Sequence, residues 1–224
     1  MQTPGTITDF VTEEIRTRIV LGALKPGQKV PVYQLAEELG VSRVPLREAV
    51  RQLEAESLVD NLPRRGTVVR DLRVEDLQDS FEILQAIEPI AARRAAMAGH
   101  EEVARTMDHW LQEMRRLAER QVPEASKERL FAHREFHFAL FGAAGNGVLP
   151  RHLRMLWYTC ERYVLSSSPD PKRFDESARE HADLVETIRD GDPDAAAAVL
   201  GRHLEASLSS ALRSLEARGV AVNP

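Results

Sequence analysis

The helical periodicity of residues 75–217 is the feature that most constrains the fold of this chain. After Asp71 the strand signals vanish, and apolar residues recur at helical spacing. Six amphipathic segments with short breaks between them lie at roughly 75–98, 101–121, 125–142, 148–167, 173–190 and 193–217. Short breaks between long helices are typical of antiparallel neighbours. This part of the chain therefore predicts an all-α bundle of six to seven helices.

The first seventy residues have shorter helical segments and clearer breaks. A first helix should end near Gly22, a second should run from the turn at Pro31 to Gly40, and a third should span residues 43–56 with Ser42 as its N-cap. The apolar stripe of the first helix consists of Phe10, Val11, Ile15 and Ile19. The overall expectation is a mainly α chain.

Two β-rich dipeptides follow the third helix. Leu58-Val59 and Val68-Val69 flank the turn sequence Pro-Arg-Arg-Gly, which predicts a small β-hairpin. The change of pattern at Asp71 then predicts two domains, at residues 1–71 and 72–217, followed by a tail at 218–224. The connecting sequence "RDLRVED" is short and charged, so the domains are expected to be coupled.

Composition and charge narrow the class of protein. The longest apolar runs are far shorter than the ~20 residues of a membrane span, and the first residues lack the pattern of a signal peptide. Cys160 is the single cysteine, which excludes an internal disulfide and fits a reducing compartment. A cytoplasmic protein without membrane association is the expectation.

The net charge of −5 is unevenly distributed. Residues 1–73 carry eleven Lys and Arg against ten Asp and Glu, and residues 42–70 carry six arginines against four acids. An acidic body with a locally basic N-terminal segment is compatible with DNA binding, because contacts and fields are local.

The third helix has two distinct faces. Leu46, Ala49, Val50 and Leu53 form an apolar face, while Arg43, Arg47 and Arg51 form a ridge at spacings of four. Arginines at helical spacing alone are more typical of a solvated surface. Here the helix follows the helix-and-turn sequence "LAEELGVS" and precedes a hairpin tipped with Arg64, Arg65 and Gly66. That combination favours a helix that enters the major groove beside a phosphate-contacting hairpin.

The sequence from "LKPGQKVP" through "LAEELGVSRVPLREAV" and "LEAESLVD" to "RRGTVV" closely resembles the winged helix-turn-helix of the GntR family of bacterial transcription regulators. The resemblance is dense over about forty residues. Carried over by position, it implies DNA contacts at Ser42, Arg43, Val44, Arg47, Arg65 and Gly66. Val44 stands where threonine is frequent, Ser57 replaces a common glycine, and Tyr33 occupies a position that is sometimes arginine. These departures bear on the operator sequence.

A pair of histidines four residues apart stands out in the sequence "LFAHREFHFALF". Residues at i and i+4 are neighbours on a helix, so His133 and His137 should face the same side. Such a pair is either a set of interior-edge histidines satisfied by hydrogen bonds or half of a metal site. The residues alone favour the first interpretation, because the glutamate of an HExxH motif is absent.

Residues 72–217 resemble the FCD domain of the FadR-like branch of the same family, through "FEILQAIEPIAARRAA", "FHFALFGAAGN", "LPRHLRMLW" and "REHADLVETIRDGDPDAAAAVLGRHLEAS". In metal-binding members, an aspartate and a histidine four apart join two histidines from later helices. By position, the resemblance implies metal ligands at His137, His181 and His203, with His133 in place of the aspartate. His133 either is a fourth ligand or points away and leaves a three-histidine site.

An imidazole set of this kind suits zinc or nickel. Without a carboxylate ligand the divalent charge would be uncompensated by protein, so an anion or hydroxide should be favoured in an open position. His100, His109 and His152 match no ligand position and are expected at the surface or at helix edges.

The resemblance also implies a small-molecule effector site in the bundle, commonly for an organic acid. Many members have an arginine where Gln85 stands before Glu88, so carboxylate binding cannot be carried over simply. Arg134, Arg154 and Arg162 are candidate replacements, although each is more typical of a surface charge. The apolar residues that could line the cavity, or simply fill the core, are Leu84, Phe138, Met155, Trp157 and Tyr158.

The leading hypothesis is a homodimeric, ligand-responsive transcription factor, a repressor rather than an enzyme, that binds a pseudo-palindromic operator. Effector binding would repack the bundle and change the spacing of the winged domains. One alternative is a helical metalloenzyme acting on a small acid, against which stand the missing HExxH glutamate and the absence of other catalytic motifs. Another is a regulator with a purely structural metal.

Overall fold

A computed structural model describes residues 6–97, 100–120, 125–145, 147–166 and 171–219. The chain divides between Leu72 and Arg73 into two compact units. The mainly α fold predicted from the sequence, with a small two-stranded sheet and a helical C-terminal part, is confirmed. No helix in the described part of the chain is both long enough and apolar enough to cross a membrane.

The described part of the N-terminal unit, from residue 6 onward, contains three helices, α1 (Ile7–Val20), α2 (Val32–Glu38) and α3 (Arg43–Ala55). Helix α1 begins with a capping box, in which Thr6 and Asp9 satisfy each other's backbone N–H groups. The apolar side chains that the three helices bury together with the hairpin include Val11, Ile15, Leu35, Leu46, Leu53, Leu58 and Val69. Phe10, the first member of the apolar stripe of α1, lies outside this core, because its side chain is 55% exposed.

A hairpin of β1 (Val59–Leu62) and β2 (Gly66–Val69) completes the unit. The strands are antiparallel, with Val59 opposite Val69 and Leu62 opposite Gly66. Arg64 and Gly66 both have positive φ angles, of 65° and 80°, which allow the chain to reverse within three residues. The tight turn leaves the side chain of Arg65 exposed at the hairpin tip.

The C-terminal unit contains six described helices: α4 (Val74–Met97), α5 (His100–Ala118), α6 (Ala125–Ala143), α7 (Val148–Ser166), α8 (Pro171–Arg189) and α9 (Pro193–Ala217). Their bounds agree with the predicted segments to within two residues, except that α5 ends at Ala118, three residues before the predicted end at 121. Several predicted features lie outside the described residues. They are the breaks at Gly99 and Pro123, Asn146 of the "GNG" break, the helix ends at 98, 121 and 167, and the tail residues 220–224. Helices α4 and α9 pack against each other, and α6, α7 and α8 pack around them.

Candidate DNA-reading surface and histidine cluster

The two faces predicted for α3 are present. Leu46, Ala49, Val50 and Leu53 are buried, and Arg43, Arg47 and Arg51 are exposed. The guanidinium of Arg43 lies over the ring of Tyr33, 5.2 Å from its centre, and Arg51 forms an exposed ion pair with Glu48 at 2.9 Å. Arg47, between them, presents its guanidinium at the middle of the ridge.

Ser42 stands at the N-cap position of α3 with an extended backbone, as expected, but its side chain makes no capping hydrogen bond. The hydroxyl is exposed and remains available to an external partner. Val44, two residues on, is 69% exposed although it is apolar. The first turn of α3 therefore offers a hydroxyl, a methyl-bearing surface and two arginines on its solvent side.

The histidine cluster is formed by two helices. His133 and His137 lie on α6 and His181 lies on α8, and one ring nitrogen of each lies within 4.8 Å of the others. The ring centres of His133 and His137 are 5.0 Å apart, and those of His137 and His181 are 5.2 Å apart. The two histidines spaced i,i+4 on α6 therefore lie next to a third imidazole, which comes from α8.

Several nitrogens of the cluster have no hydrogen-bond partner. They are Nδ1 of His133, both ring nitrogens of His137 and Nε2 of His181, all buried within the described part of the chain. A buried polar atom without a partner costs stability unless a ligand, ion or water satisfies it. The cluster therefore lacks the hydrogen bonds that the structural interpretation of this histidine pair requires.

Burial also fixes the protonation state of these imidazoles. Loss of solvation, followed by the nearby charge of His203, lowers the pKa of His133 to about 3. Burial, with smaller contributions from neighbouring histidines, lowers the pKa of His137 and of His181 well below the ordinary value. The three rings are neutral at physiological pH, which is the form that coordinates a metal ion. Three neutral imidazoles with free lone pairs fit zinc or nickel.

His203, on α9, lies beside the cluster and outside the group of three. Its ring centre is 4.6 Å from that of His181 and 5.7 Å from that of His137. Nδ1 of His203 lies 2.7 Å from Oε2 of Glu180, which also accepts hydrogen bonds from Arg173. If Nδ1 donates to this carboxylate, Nε2 of His203 carries the free lone pair.

A carboxylate that the sequence analysis did not assign to the site lies on α4. Glu88 is fully buried, neither of its carboxylate oxygens has a hydrogen-bond partner, and Oε1 lies 3.8 Å from Nδ1 of His137. Burial raises the pKa of Glu88 to about 8. The sequence-based expectation concerned the metal ligands alone and did not place this carboxyl group beside them. The sequence signal was a single acid on the apolar face of α4, one turn after Leu84 and one turn before Ala92.

A small cavity adjoins the cluster. The described residues that line it are Phe81, Leu84, His133, Trp157, Cys160, Glu161, His203, Leu204 and Ser207. About 10 Å³ is open to the centre of a water molecule, which is the room of about one water. Of the expected lining residues, Leu84 and Trp157 are present, and the ring of Trp157 lies 4.1 Å from that of His137 between centres, tilted by 32°. Phe138, Met155 and Tyr158 do not line it.

The three arginines considered for effector binding have different surroundings. Arg134 and Arg162 are only 3% and 5% exposed, so the expectation of surface charges is wrong for both, whereas Arg154 is exposed. The guanidinium of Arg134 forms two hydrogen bonds with the carboxylate of Glu161, at 2.9 and 2.7 Å. None of the three lines the cavity in this conformation. His109 and His152 are exposed and His100 is half-buried, as expected.

Both units of the chain are similar to known families of bacterial transcriptional regulators. Residues 7–69 match the family of bacterial regulatory proteins described as the gntR family, and residues 79–206 match the FCD domain. A probable D-xylose utilization operon transcriptional repressor of Paenarthrobacter nicotinovorans is 32% identical, over 95% of this chain and 92% of its own length. A putative L-lactate dehydrogenase operon regulatory protein of Escherichia coli is 28% identical, over 90% of this chain and 84% of its own length.

Among solved structures, E. coli McbR/YncC superposes with a TM-score of 0.79 at 19% identity, covering 93% of this chain and 98% of that one. At this level of identity the likeness concerns the fold. The relatives found by sequence are named as transcriptional regulators, which supports a regulator rather than an enzyme.

Proposed function

The chain belongs to the GntR family of bacterial transcriptional regulators and carries an FCD domain, and on that basis we propose that it is a homodimeric repressor whose helical unit binds a divalent metal ion and a small organic acid. The observation that carries the proposal beyond the family is the set of buried, neutral histidine nitrogens without hydrogen-bond partners.

DNA contacts are proposed at the solvent side of α3 and at the hairpin tip. Arg43 and Arg47 would reach base edges in the major groove, where an arginine can bind guanine with two hydrogen bonds. Ser42, whose hydroxyl is not used for capping, would bind a phosphate, and the exposed methyl groups of Val44 would contact a thymine methyl. Arg65 and the backbone of Gly66 would contact the DNA backbone beside the groove.

The metal site is proposed at His133, His137 and His181, with His203 as a further ligand through Nε2. A bound divalent ion would act there as an electrostatic anchor for an anionic ligand. The surrounding residues exclude bulk water, since His137, His181 and Trp157 are buried, and Glu180 fixes the ring of His203.

The effector is proposed to enter the cavity between His133 and His203. Because this cavity has room for about one water, a small acid can bind only if the surrounding helices move apart. Such repacking links ligand binding to the helical unit's conformation. The names of the relatives from P. nicotinovorans and E. coli refer to D-xylose and L-lactate operons, which supports a small metabolite; the metal favours a carboxylate.

Dimer formation is proposed through α4. Ile83, Ile90 and Met97 are exposed and recur every seven residues, so they lie on one face of this helix. A second copy of the chain would bury this stripe, and a two-fold dimer would present two copies of α3 to a pseudo-palindromic operator. In light scattering, the Ile83→Asp, Ile90→Asp double variant should have half the mass of the wild type.

The experiment for the whole proposal is a fluorescence-anisotropy titration with the DNA that flanks the gene of this protein. Wild-type protein purified without a nickel column should bind with nanomolar affinity at moderate salt. Addition of L-lactate or another small acid should weaken binding only when zinc or nickel is present. Release that is independent of metal would favour a purely structural metal, and absence of DNA binding would contradict the proposal.

A further inference from the structure

Glu88 is a buried acid of the helical unit whose neighbours form no hydrogen bond with its carboxyl group. Its side chain is 0% exposed, and both oxygens lack a hydrogen-bond partner within the described residues. A buried carboxyl group without a hydrogen-bond partner costs free energy whether it is ionised or protonated, whereas an apolar side chain of similar size would fill the same space at no such cost. We therefore expect that the buried carboxyl group of Glu88 interacts with a polar neighbour or a ligand.

The neighbour of Glu88 is also unsatisfied. Nδ1 of His137 lies 3.8 Å from Oε1 of Glu88, and neither ring nitrogen of His137 has a hydrogen-bond partner. This separation is roughly 1 Å too long for a hydrogen bond. The two groups are adjacent without being bonded to each other.

The same site contains another histidine and carboxylate that are close enough to form a hydrogen bond. Nδ1 of His203 lies 2.7 Å from Oε2 of Glu180, at hydrogen-bond distance. Histidines that bind a metal usually donate the other ring N–H to a carboxylate, which fixes the tautomer and orients the ring. His137 and Glu88 are also a histidine and a carboxyl group side by side, but they are too far apart to form this hydrogen bond.

We propose that Glu88 is a positioning residue of the metal site, which accepts a hydrogen bond from Nδ1–H of His137 and so directs Nε2 of His137 toward His133 and His181. This inference rests on the proposed metal site. Three or four imidazoles are neutral ligands, so the carboxylate of Glu88 also offsets part of the charge of a divalent ion. The buried carboxylate is thereby explained as a group that becomes satisfied when metal binds.

The test is zinc affinity, measured with metal-stripped, full-length protein in competition with a chromophoric chelator. Glu88→Gln keeps the size of the side chain and removes its charge. Glu82→Gln, on the exposed side of the same helix, is the matched control. Glu88→Gln should weaken zinc binding by about 10–100-fold, and Glu82→Gln should leave it unchanged. The thermal unfolding midpoint of metal-free Glu88→Gln should equal or exceed that of the wild type.

The possible outcomes separate this inference from the metal site itself. If wild type and Glu82→Gln bind no zinc, the metal site is wrong and the role of Glu88 is wrong with it. If wild type and Glu88→Gln bind zinc equally, the metal site stands and the role of Glu88 is overturned. A lower midpoint of metal-free Glu88→Gln together with unchanged zinc affinity would show a purely structural role.

A measurement on the wild type needs no variant. Nitrogen NMR of the histidine rings in the zinc-loaded protein should show a proton on Nδ1 of His137 and zinc on Nε2. Zinc on Nδ1 of His137 would contradict the proposed hydrogen bond to Glu88.

Discussion

The buried Arg16–Glu56 pair of the N-terminal unit and the histidine cluster of the helical unit differ in how their polar atoms are satisfied. In the N-terminal unit, Arg16 and Glu56 are both buried and joined by three hydrogen bonds, at 3.0, 2.7 and 2.8 Å, and Gln52 donates a further one to Glu56. In the helical unit, Glu88 and the three clustered histidines contain buried nitrogens and oxygens that have no hydrogen-bond partner, although the side chain of His133 as a whole is half-buried. The first set is satisfied by the fold itself, and the second set is not.

This difference separates a structural polar cluster from a ligand site. The buried and hydrogen-bonded pair of Arg16 and Glu56 joins α1 to the end of α3, and its loss should affect folding. Buried groups without partners lower the stability of the ligand-free fold, so they are retained where a ligand satisfies them. The comparison predicts that variants in the first cluster change stability, whereas variants in the second change ligand binding.

Breaking the satisfied pair should have the greatest consequence. Arg16→Ala leaves Glu56 buried without its main partner and should lower the free energy of unfolding by about 3–5 kcal/mol. Chemical denaturation followed by circular dichroism measures this loss. The matched control is Arg51→Ala, which removes an exposed ion pair with Glu48 and should cost less than about 1 kcal/mol. Equal losses in the two variants would contradict the structural role of the buried pair.

Removing a central histidine should abolish most metal binding. His137→Ala deletes a ligand outright, so its zinc affinity should fall by more than the roughly 10–100-fold typical of outer-shell changes. Elemental analysis after dialysis measures the bound zinc. His152→Ala, an exposed histidine on α7, is the control and should retain the metal of the wild type. Retention of zinc by His137→Ala would remove this residue from the site.

An exposed arginine of the N-terminal unit should affect binding without affecting folding. Arg47→Ala should weaken operator binding by about 1–3 kcal/mol if the guanidinium reads a base edge. Its unfolding transition should be unchanged, because the side chain is exposed and opposite the buried Leu46 and Val50. Anisotropy titrations at fixed salt measure the change. Unchanged affinity of a folded Arg47→Ala variant would exclude Arg47 from the DNA contacts.

The smallest expected effect is a pH dependence of the metal-free protein. The pKa of Glu88 is raised to about 8 in the fold, so the folded state holds a proton that the unfolded state releases above pH 4.5. Stability should therefore fall as pH rises, by about 1 kcal/mol between pH 6.5 and 7.5, relative to Glu88→Gln. Denaturation curves of both proteins at these two pH values measure the difference.

Below pH 6.5, the clustered histidines change the stability of the metal-free protein in the opposite direction to Glu88. Their pKa values are lowered in the fold, so the unfolded state binds more protons below pH 6.5 and stability falls as the solution is acidified. A wild type and a Glu88→Gln variant with parallel curves from pH 6.5 to 7.5 would contradict the raised pKa of Glu88.

Local periodicity predicted much of this fold but less of the site. The faces of α3 and the helices from α4 to α9 follow from apolar spacing, and the hairpin follows from its turn residues. Phe10 matched the stripe of α1 but is exposed, because the apolar pattern is wider than the face that α1 buries. Arg134 was expected at the surface because its partner Glu161 lies 27 residues later on another helix. The contact of Glu88 with His137 is likewise a tertiary contact between α4 and α6 that sequence spacing does not contain.

Anomalous diffraction at the zinc absorption edge tests whether the unsatisfied histidines form a metal site. The crystal should contain full-length protein that was purified without a nickel column and then saturated with zinc. We predict one strong peak about 2.0–2.1 Å from a ring nitrogen of each of His133, His137 and His181. Absence of a peak among these residues at full zinc saturation, with their ring nitrogens hydrogen-bonded to protein or water, would contradict the metal site and return the histidine pair to a structural role.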